Sequence, residues 1–229
     1  FENALEFNVN HVFSLVDLGI IAREEADKAE VRQDDTKRYE RLEASLAYFT
    51  RVLDIQGNIL DHNGQSIWAS VGGIHKRLKE KDKAVQAYKT ATTIKKSAYP
   101  YVNLGLLFFG LDDIPEMVAN IRLALFFAQK QIDLRPDDAY AHADEFICQV
   151  IINECGDEDE RKDGEEMKRF ADHILRISPD YVLRRVKSIL AELIELNEVH
   201  KKKHTSARSI IDRSIAEYTL DLLANMLRP

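Results

Sequence analysis

Two stretches of this chain, one opening at Trp68 and the other at Tyr101, carry the same order of side chains. The first reads Trp68-x2-Val71-Gly72-x2-His75 and continues into Ala84-x3-Tyr88-x2-Ala91. The second reads Tyr101-x2-Leu104-Gly105-x2-Phe108. A large residue, an aliphatic one, a glycine and a ring recur at fixed offsets. A period of about 34 residues is the length of a helix–turn–helix unit. One such unit cannot bury its own apolar face, so units must stack, and the fold is narrowed to a helical repeat.

Apolar residues recur at helical spacing along nearly the whole chain, without sustained alternation of period two. This spacing predicts about eleven helices. The first runs from Glu2 to Leu18 and stops at Gly19, and a short second covers Ile20 to Glu30. The third spans Asp34 to Gln56, with Leu42, Leu46, Phe49 and Leu53 on one stripe, and Asp61 to Gly64 form a turn. Residues 66–79 and 81–96 are the fourth and fifth helices. Pro100 stands in the first turn of the sixth, where its missing N–H costs nothing. Asp113-Ile114-Pro115-Glu116 opens the seventh like a capping box, and that helix runs to Leu134. The eighth covers Asp137 to Glu154, and Gly156 to Gly164 form a polar, mobile acidic loop. The ninth ends at Ile177. Ser178-Pro179 caps and opens the tenth, which runs to Lys203. Thr205 or Ser206 caps the last, which ends near Leu227.

Composition agrees with an ordered helical chain: 45% hydrophobic, 31% charged, and only 9 Gly and 5 Pro in 229 residues. The longest apolar run, Tyr101 to Leu111, is about half the ~20 residues that span a bilayer and contains Asn103. No basic-then-apolar leader opens the sequence. It begins at Phe1, which reads as a fragment of a longer or processed protein. Cys148 and Cys155 share one helix face about 10 Å apart along the axis, too far for a disulfide. Reduced thiols imply an intracellular, cytoplasmic location. The net charge of −7 is segregated. Residues 66–136 are basic and 137–180 strongly acidic.

The punctuation of residues 66–142 resembles the tetratricopeptide repeat family. There a large aromatic, a Leu-Gly pair and a ring mark the first helix of each unit; a small residue, an aromatic, an alanine and a closing proline mark the second. Small residues at Gly72, Gly105, Ala84 and Ala91 let helices approach, and Trp68, Tyr88, Tyr101 and Phe108 fill the space between layers. The stretch from Ala124 through Pro136 to Ala141 is similar to the junction between two repeats. Weaker echoes lie at Ser45–Ile55 and Ala171–Pro179. The interval from Gly105 to Ala124 exceeds that from Gly72 to Ala84 by about two helical turns, an insertion that keeps the same face inward. The resemblance implies an all-α, right-handed superhelical stack of antiparallel hairpins. It forms a single domain, 1–229, with irregular hairpins in 1–65, the best repeats in 66–136, degenerate repeats in 137–204 and a capping helix in 205–229.

In that family the first helices line a concave groove. The corresponding positions here are Tyr99, Val102, Asn103, Leu106 and Phe109, then Tyr140, Ala143, Ile147 and Val150. Ser66, Ala69, Gly73, Lys76 and Arg77 line the first repeat. The resemblance therefore implies a protein-interaction scaffold that takes a peptide or helix in a largely apolar groove, with Lys76 and Arg77 adding charge at one end. A second reading has the groove filled by a helix of this chain or of a neighbouring copy, a self-association or regulatory module. The last helix, with Ala207, Ile210, Ile211, Ile215, Tyr218, Leu222 and Met226 on one stripe, suits that role.

Other chemistry finds less support. A clamp for a terminal carboxylate would need cations, and of the family's five clamp positions only Asn103 matches; Ala69, Gly73, Tyr140 and Asp144 occupy the rest. Lys76, Arg77, Lys79, Lys81 and Lys83 form a basic cluster that allows a nucleic-acid-binding repeat, but Glu80 and Asp82 interrupt it. His200 and His204 are spaced to share a metal, yet no carboxylate or cysteine at a recognisable spacing completes the set. No nucleophile elbow, phosphate loop or dinucleotide fingerprint is present, so no enzyme, cofactor or metal is expected.

Overall fold

A computed structural model of the chain describes residue 9 and residues 11–62, 64–155, 158–204 and 213–226. It divides into two compact units, up to Lys96 and from Ser97 onward. The first holds α1 (Val12–Val31), α2 (Asp35–Ile55), α3 (Ile67–Arg77) and α4 (Lys81–Ile94). The second holds α5 (Ala98–Gly110), α6 (Ile114–Leu134), α7 (Ala139–Cys155), α8 (Gly164–Ile177), α9 (Asp180–Lys203) and α10 (Arg213–Met226), with a 3-10 turn at Glu158–Glu160. The fold is all-α, and the described residues contain no β-strand.

Three hairpins share one turn. Gln33, Lys79 and Asp112 follow α1, α3 and α5, and each takes a left-handed φ, of 59°, 63° and 67°. Each donates its N–H to the carbonyl three positions back, and the next residue donates to the carbonyl five back: Asp34 to Ala29, Glu80 to His75, Asp113 to Phe108. This is the Schellman arrangement, which satisfies the last carbonyls of a helix while reversing the chain. The second residue of the turn then starts the next helix. Asp34 Oδ1 accepts from the N–H of Lys37 at 3.0 Å, and Asp113 Oδ1 from Glu116 at 3.2 Å.

The glycines show why these hairpins close so tightly. A Cβ on Gly72 would lie 2.9 Å from the Tyr88 ring, and one on Gly105 would lie 2.6 Å from Ile121 Cδ1. Gly19 is in the same position: a Cβ there would lie 2.7 Å from the Phe49 ring. Gly19 therefore does not end a helix. It lies inside the continuous α1, and the two helices expected over 2–30 are one over Val12–Val31, with residues 2–8 and 10 outside the described residues. Leu18-Gly19 is thus a third copy of the aliphatic-glycine pair seen at Val71-Gly72 and Leu104-Gly105. The arms of its hairpin, Gly19 to Gln33 and Gln33 to Phe49, are longer than the matching arms Gly72 to Lys79 and Lys79 to Tyr88. Each arm gains about two helical turns, which lengthen the hairpin without rotating its buried face.

The same alignment relocates the extension in α6. Gly105 faces Ile121 across the turn at Asp112, as Gly72 faces Tyr88 across the turn at Lys79 and at the same separation in sequence. The equivalent of Ala84 is Met117, and Ala124 corresponds to Ala91. The added turns therefore lie at the end of α6, not between Gly105 and Ala124. Pro179 itself occupies the N-cap of α9, which begins at Asp180, and the Ser178 hydroxyl makes no capping bond. The acidic loop is anchored: Gln149 Nε2 donates to the Glu160 carbonyl at 2.7 Å, Asn153 Nδ2 to that of Lys162 at 3.0 Å, and Arg122 holds the Glu160 carboxylate with Nε and Nη2. The expected cap at Thr205 or Ser206 lies outside the described residues.

In the first unit Leu15, Leu42, Phe49, Val52, Ile67 and Ile74 form the core. The Trp68 indole N–H donates to the Gly57 carbonyl at 3.1 Å, fixing the loop that leads into α3. In the second unit α7 is the central helix. It packs against α5, α6, α8, α9 and α10, and 11 of its 17 residues are buried.

Candidate binding face

Three of the positions expected to line an open groove in the second unit, Tyr99, Phe109 and Tyr140, lie against α9. This helix packs on both α5 and α7, and its contacts advance along α5 in chain order, Arg185 on Tyr99 and His200 on Phe109. At its start Arg185 sits over the Tyr99 ring, 5.5 Å from the centroid, and Tyr181 packs on Tyr140 at 5.7 Å. At its end the His200 ring lies 6.0 Å from that of Phe109. Val182, Val186, Ile189, Leu193 and Asn197 are buried along its length, at helical spacing. Such a stripe is the kind of face an amphipathic helix lays into a groove.

The expected groove residues separate accordingly. Val102, Asn103, Leu106, Phe109 and Ile147 are buried, Phe109 to 4% exposure and Ile147 completely. Tyr99 is half-buried, while Tyr140 keeps 47% of its surface open at the rim. Asn103 Nδ2 donates to the Tyr99 carbonyl within its own helix at 3.0 Å. In the first unit Lys76 is half-buried, and Arg77 is tied to α1 through Asp27 at 2.7 Å and Glu30 at 3.2 Å. Of the nearby cations, Lys83 pairs with Glu80, whose other carboxylate oxygen meets His75. Those bonds, Lys83 foremost, hold the Glu80 carboxyl below its usual range.

The helix packed against α5 is α9. α10 packs on α7, α8 and α9, with Ile215, Thr219 and Leu223 inward and the Tyr218 hydroxyl donating to Asp172 at 3.2 Å. Ala207, Ile210 and Ile211 lie outside the described residues. It is α9 that covers α5, and the sequence obscures this because α9 is 24 residues long with charges spread between its apolar positions.

Two polar contacts hold α9 at its ends, and neither was visible in the sequence. Arg185 pairs with Asp144 of α7, distant in sequence, in a site where Asp144 is almost fully buried. Burial pushes the Asp144 carboxyl above the ordinary carboxylate range, against the pull of Arg185. Arg185 Nη1 is itself buried without a hydrogen-bond acceptor. At the other end His200 Nδ1 lies 2.8 Å from Asp112 Oδ1, and His204 Nε2 lies 2.8 Å from Asp112 Oδ2. Hydrogen bonds from His204 and then His200 lower the Asp112 carboxyl to about 2. The carboxylate missing beside the two histidines was thus Asp112, far from them in sequence but adjacent in the fold.

The family comparison matches this architecture. Residues 65–97, which contain α3 and α4, match the tetratricopeptide repeat. In overall structure the chain is similar to YrrB, described as a TPR protein with an unusual peptide-binding site, at 14% identity and a TM-score of 0.41, covering 96% of this chain and 97% of that one. It is similar to MamA at 13% identity and a TM-score of 0.37, covering 87% and 92%. Yeast Tom70 is similar at 12% identity and a TM-score of 0.35, with 99% of this chain matched to 57% of that one. No curated protein matches in sequence. The match thus covers one hairpin, α3 with α4, of an all-α chain built from hairpins. Among the described residues no helix is long and apolar enough to cross a membrane.

Proposed function

We propose that this chain is an interaction scaffold whose apolar face on α5 and α7 is held by its own helix α9. A partner helix with a matching stripe takes that place when it binds. The observation that carries the reading is the position of α9, laid along α5 from Tyr99 to Phe109. Val102, Leu106, Phe109 and Ile147 are the apolar anchors, with Tyr99 and Tyr140 at the rim. The partner implied is an amphipathic protein segment carrying one cation near its start, to replace Arg185 on Asp144.

Hydrogen exchange of the intact chain tests this. If α9 is displaceable, the amides of Val182 to Leu193 open at much lower free energy than those of α5, through a sub-global motion. The substitution Arg185→Met lowers their protection further and leaves α1–α4 unchanged. Exchange of α9 only through global unfolding, together with α5, would make it a permanent part of the core and sink the proposal.

A further inference from the structure

We infer that Asp112, His200 and His204 form a binding site for a divalent transition-metal ion of the zinc class, at the junction of α9 with the turn between α5 and α6. His200 in the last turn of α9 and His204 at its C-cap stand four residues apart, with ring centroids 4.7 Å apart. Asp112 comes from the left-handed position of the Schellman turn, where φ is 67° and its N–H is fixed to the Phe109 carbonyl at 2.9 Å. That backbone conformation aims the carboxylate at α9. One donor atom from each of the three residues lies within 4.8 Å of the others.

The chemistry fits the geometry. Imidazole nitrogens and carboxylate oxygens bind zinc at about 2.0–2.2 Å, so donors around one ion stand roughly 3–4 Å apart. The two 2.8 Å contacts need open only slightly to admit it. Two imidazoles select zinc, cobalt or nickel over magnesium and calcium, which prefer oxygen. His200 is buried against Phe109 and so presents a fixed ring. His204 is half-exposed, which leaves a fourth position open to water or to a ligand from a partner. The competing charge is Lys203, whose Nζ lies 3.9 Å from Asp112 Oδ2; its side chain is 53% exposed and can turn away.

An ion here would join the end of α9 to the α5–α6 turn and hold α9 over the face it covers. That consequence rests on the proposal that α9 is displaceable; the site itself does not. The test uses the untagged full chain, stripped with a chelator and titrated with zinc by calorimetry and with cobalt by visible absorption. One ion per chain is expected, with a tetrahedral cobalt spectrum. His204→Ala and Asp112→Asn, both checked for native circular dichroism, should each weaken binding by roughly tenfold or more. His62→Ala, in the first unit, should leave it unchanged. No saturable binding at submillimolar metal, or binding indifferent to both variants, overturns the site. Zinc that binds yet leaves α9 exchange unaltered keeps the site and removes its role in holding α9. Fast α9 exchange without any zinc binding does the reverse.

Discussion

Gly19 and Gly164 are the same residue type under opposite constraints. A methyl group on Gly19 meets the buried Phe49 ring, whereas one on Gly164 meets nothing within 4 Å. Gly19→Ala gains helix propensity but overpacks the hairpin, and a net loss of about 1–3 kcal/mol is expected. Gly164→Ala, at the start of α8, should instead gain about 0.4–1 kcal/mol by restricting the unfolded chain. Urea denaturation of the two variants measures both signs. Asp144 and Arg185 make a sharper contrast. Asp144→Ala strands a buried guanidinium and should cost about 3–5 kcal/mol, while the double change Asp144→Leu with Arg185→Met should recover most of it. The thiols are a third residue-scale case. Burial raises Cys155 to about 11 and Cys148 well above its ordinary value. A pH of 8 lies far below both folded values, so both thiols stay protonated; for Cys155 only roughly a thousandth is thiolate. Iodoacetamide should label the native chain far more slowly than the chain in denaturant.

At the scale of the element, the hairpin turn is the repeated device. Its left-handed position is filled by Gln33, Lys79 and Asp112, none of them the glycine such turns usually take. A left-handed L-residue costs roughly 1–2 kcal/mol, and glycine returns part of that as unfolded-chain entropy. Lys79 is exposed. Lys79→Gly should therefore stabilise the first unit by up to about 1 kcal/mol, read as a higher thermal midpoint. Asp112→Gly would relieve the same strain but remove the carboxylate from His200 and His204. Helix types and most boundaries could be read from the sequence, because apolar periodicity and caps such as Asp113 are local. Leu18-Gly19 was also there to read. It was hidden because a glycine between apolar residues marks a stop and a close approach equally well, and only the position of Phe49 separates them.

At the scale of the whole molecule, the chain is two compact units that meet in sequence at Lys96–Ser97. The first has its own core around Phe49 and Ile74. A chain ending at Lys96 should therefore unfold cooperatively with a helical spectrum; a gradual, non-cooperative melt would count against its independence. In the second unit the candidate face was half legible. Val102, Leu106 and Phe109 share a helix face by spacing alone, and the resemblance to the repeat family is what singled them out and added Ile147. What stands against that face could not be picked out.

The sequence by itself determined most of the helices, the period from Trp68 to Tyr101 and the glycines Gly72 and Gly105 that let those hairpins close, because each depends on a local pattern of side chains. Only the tertiary structure decided that α9 packs on α5 and α7, and that Asp144 meets Arg185 and Asp112 meets two histidines. Those partners lie far apart along the chain. Their contact depends on how several hairpins stack, a sum of packing choices that no local pattern records.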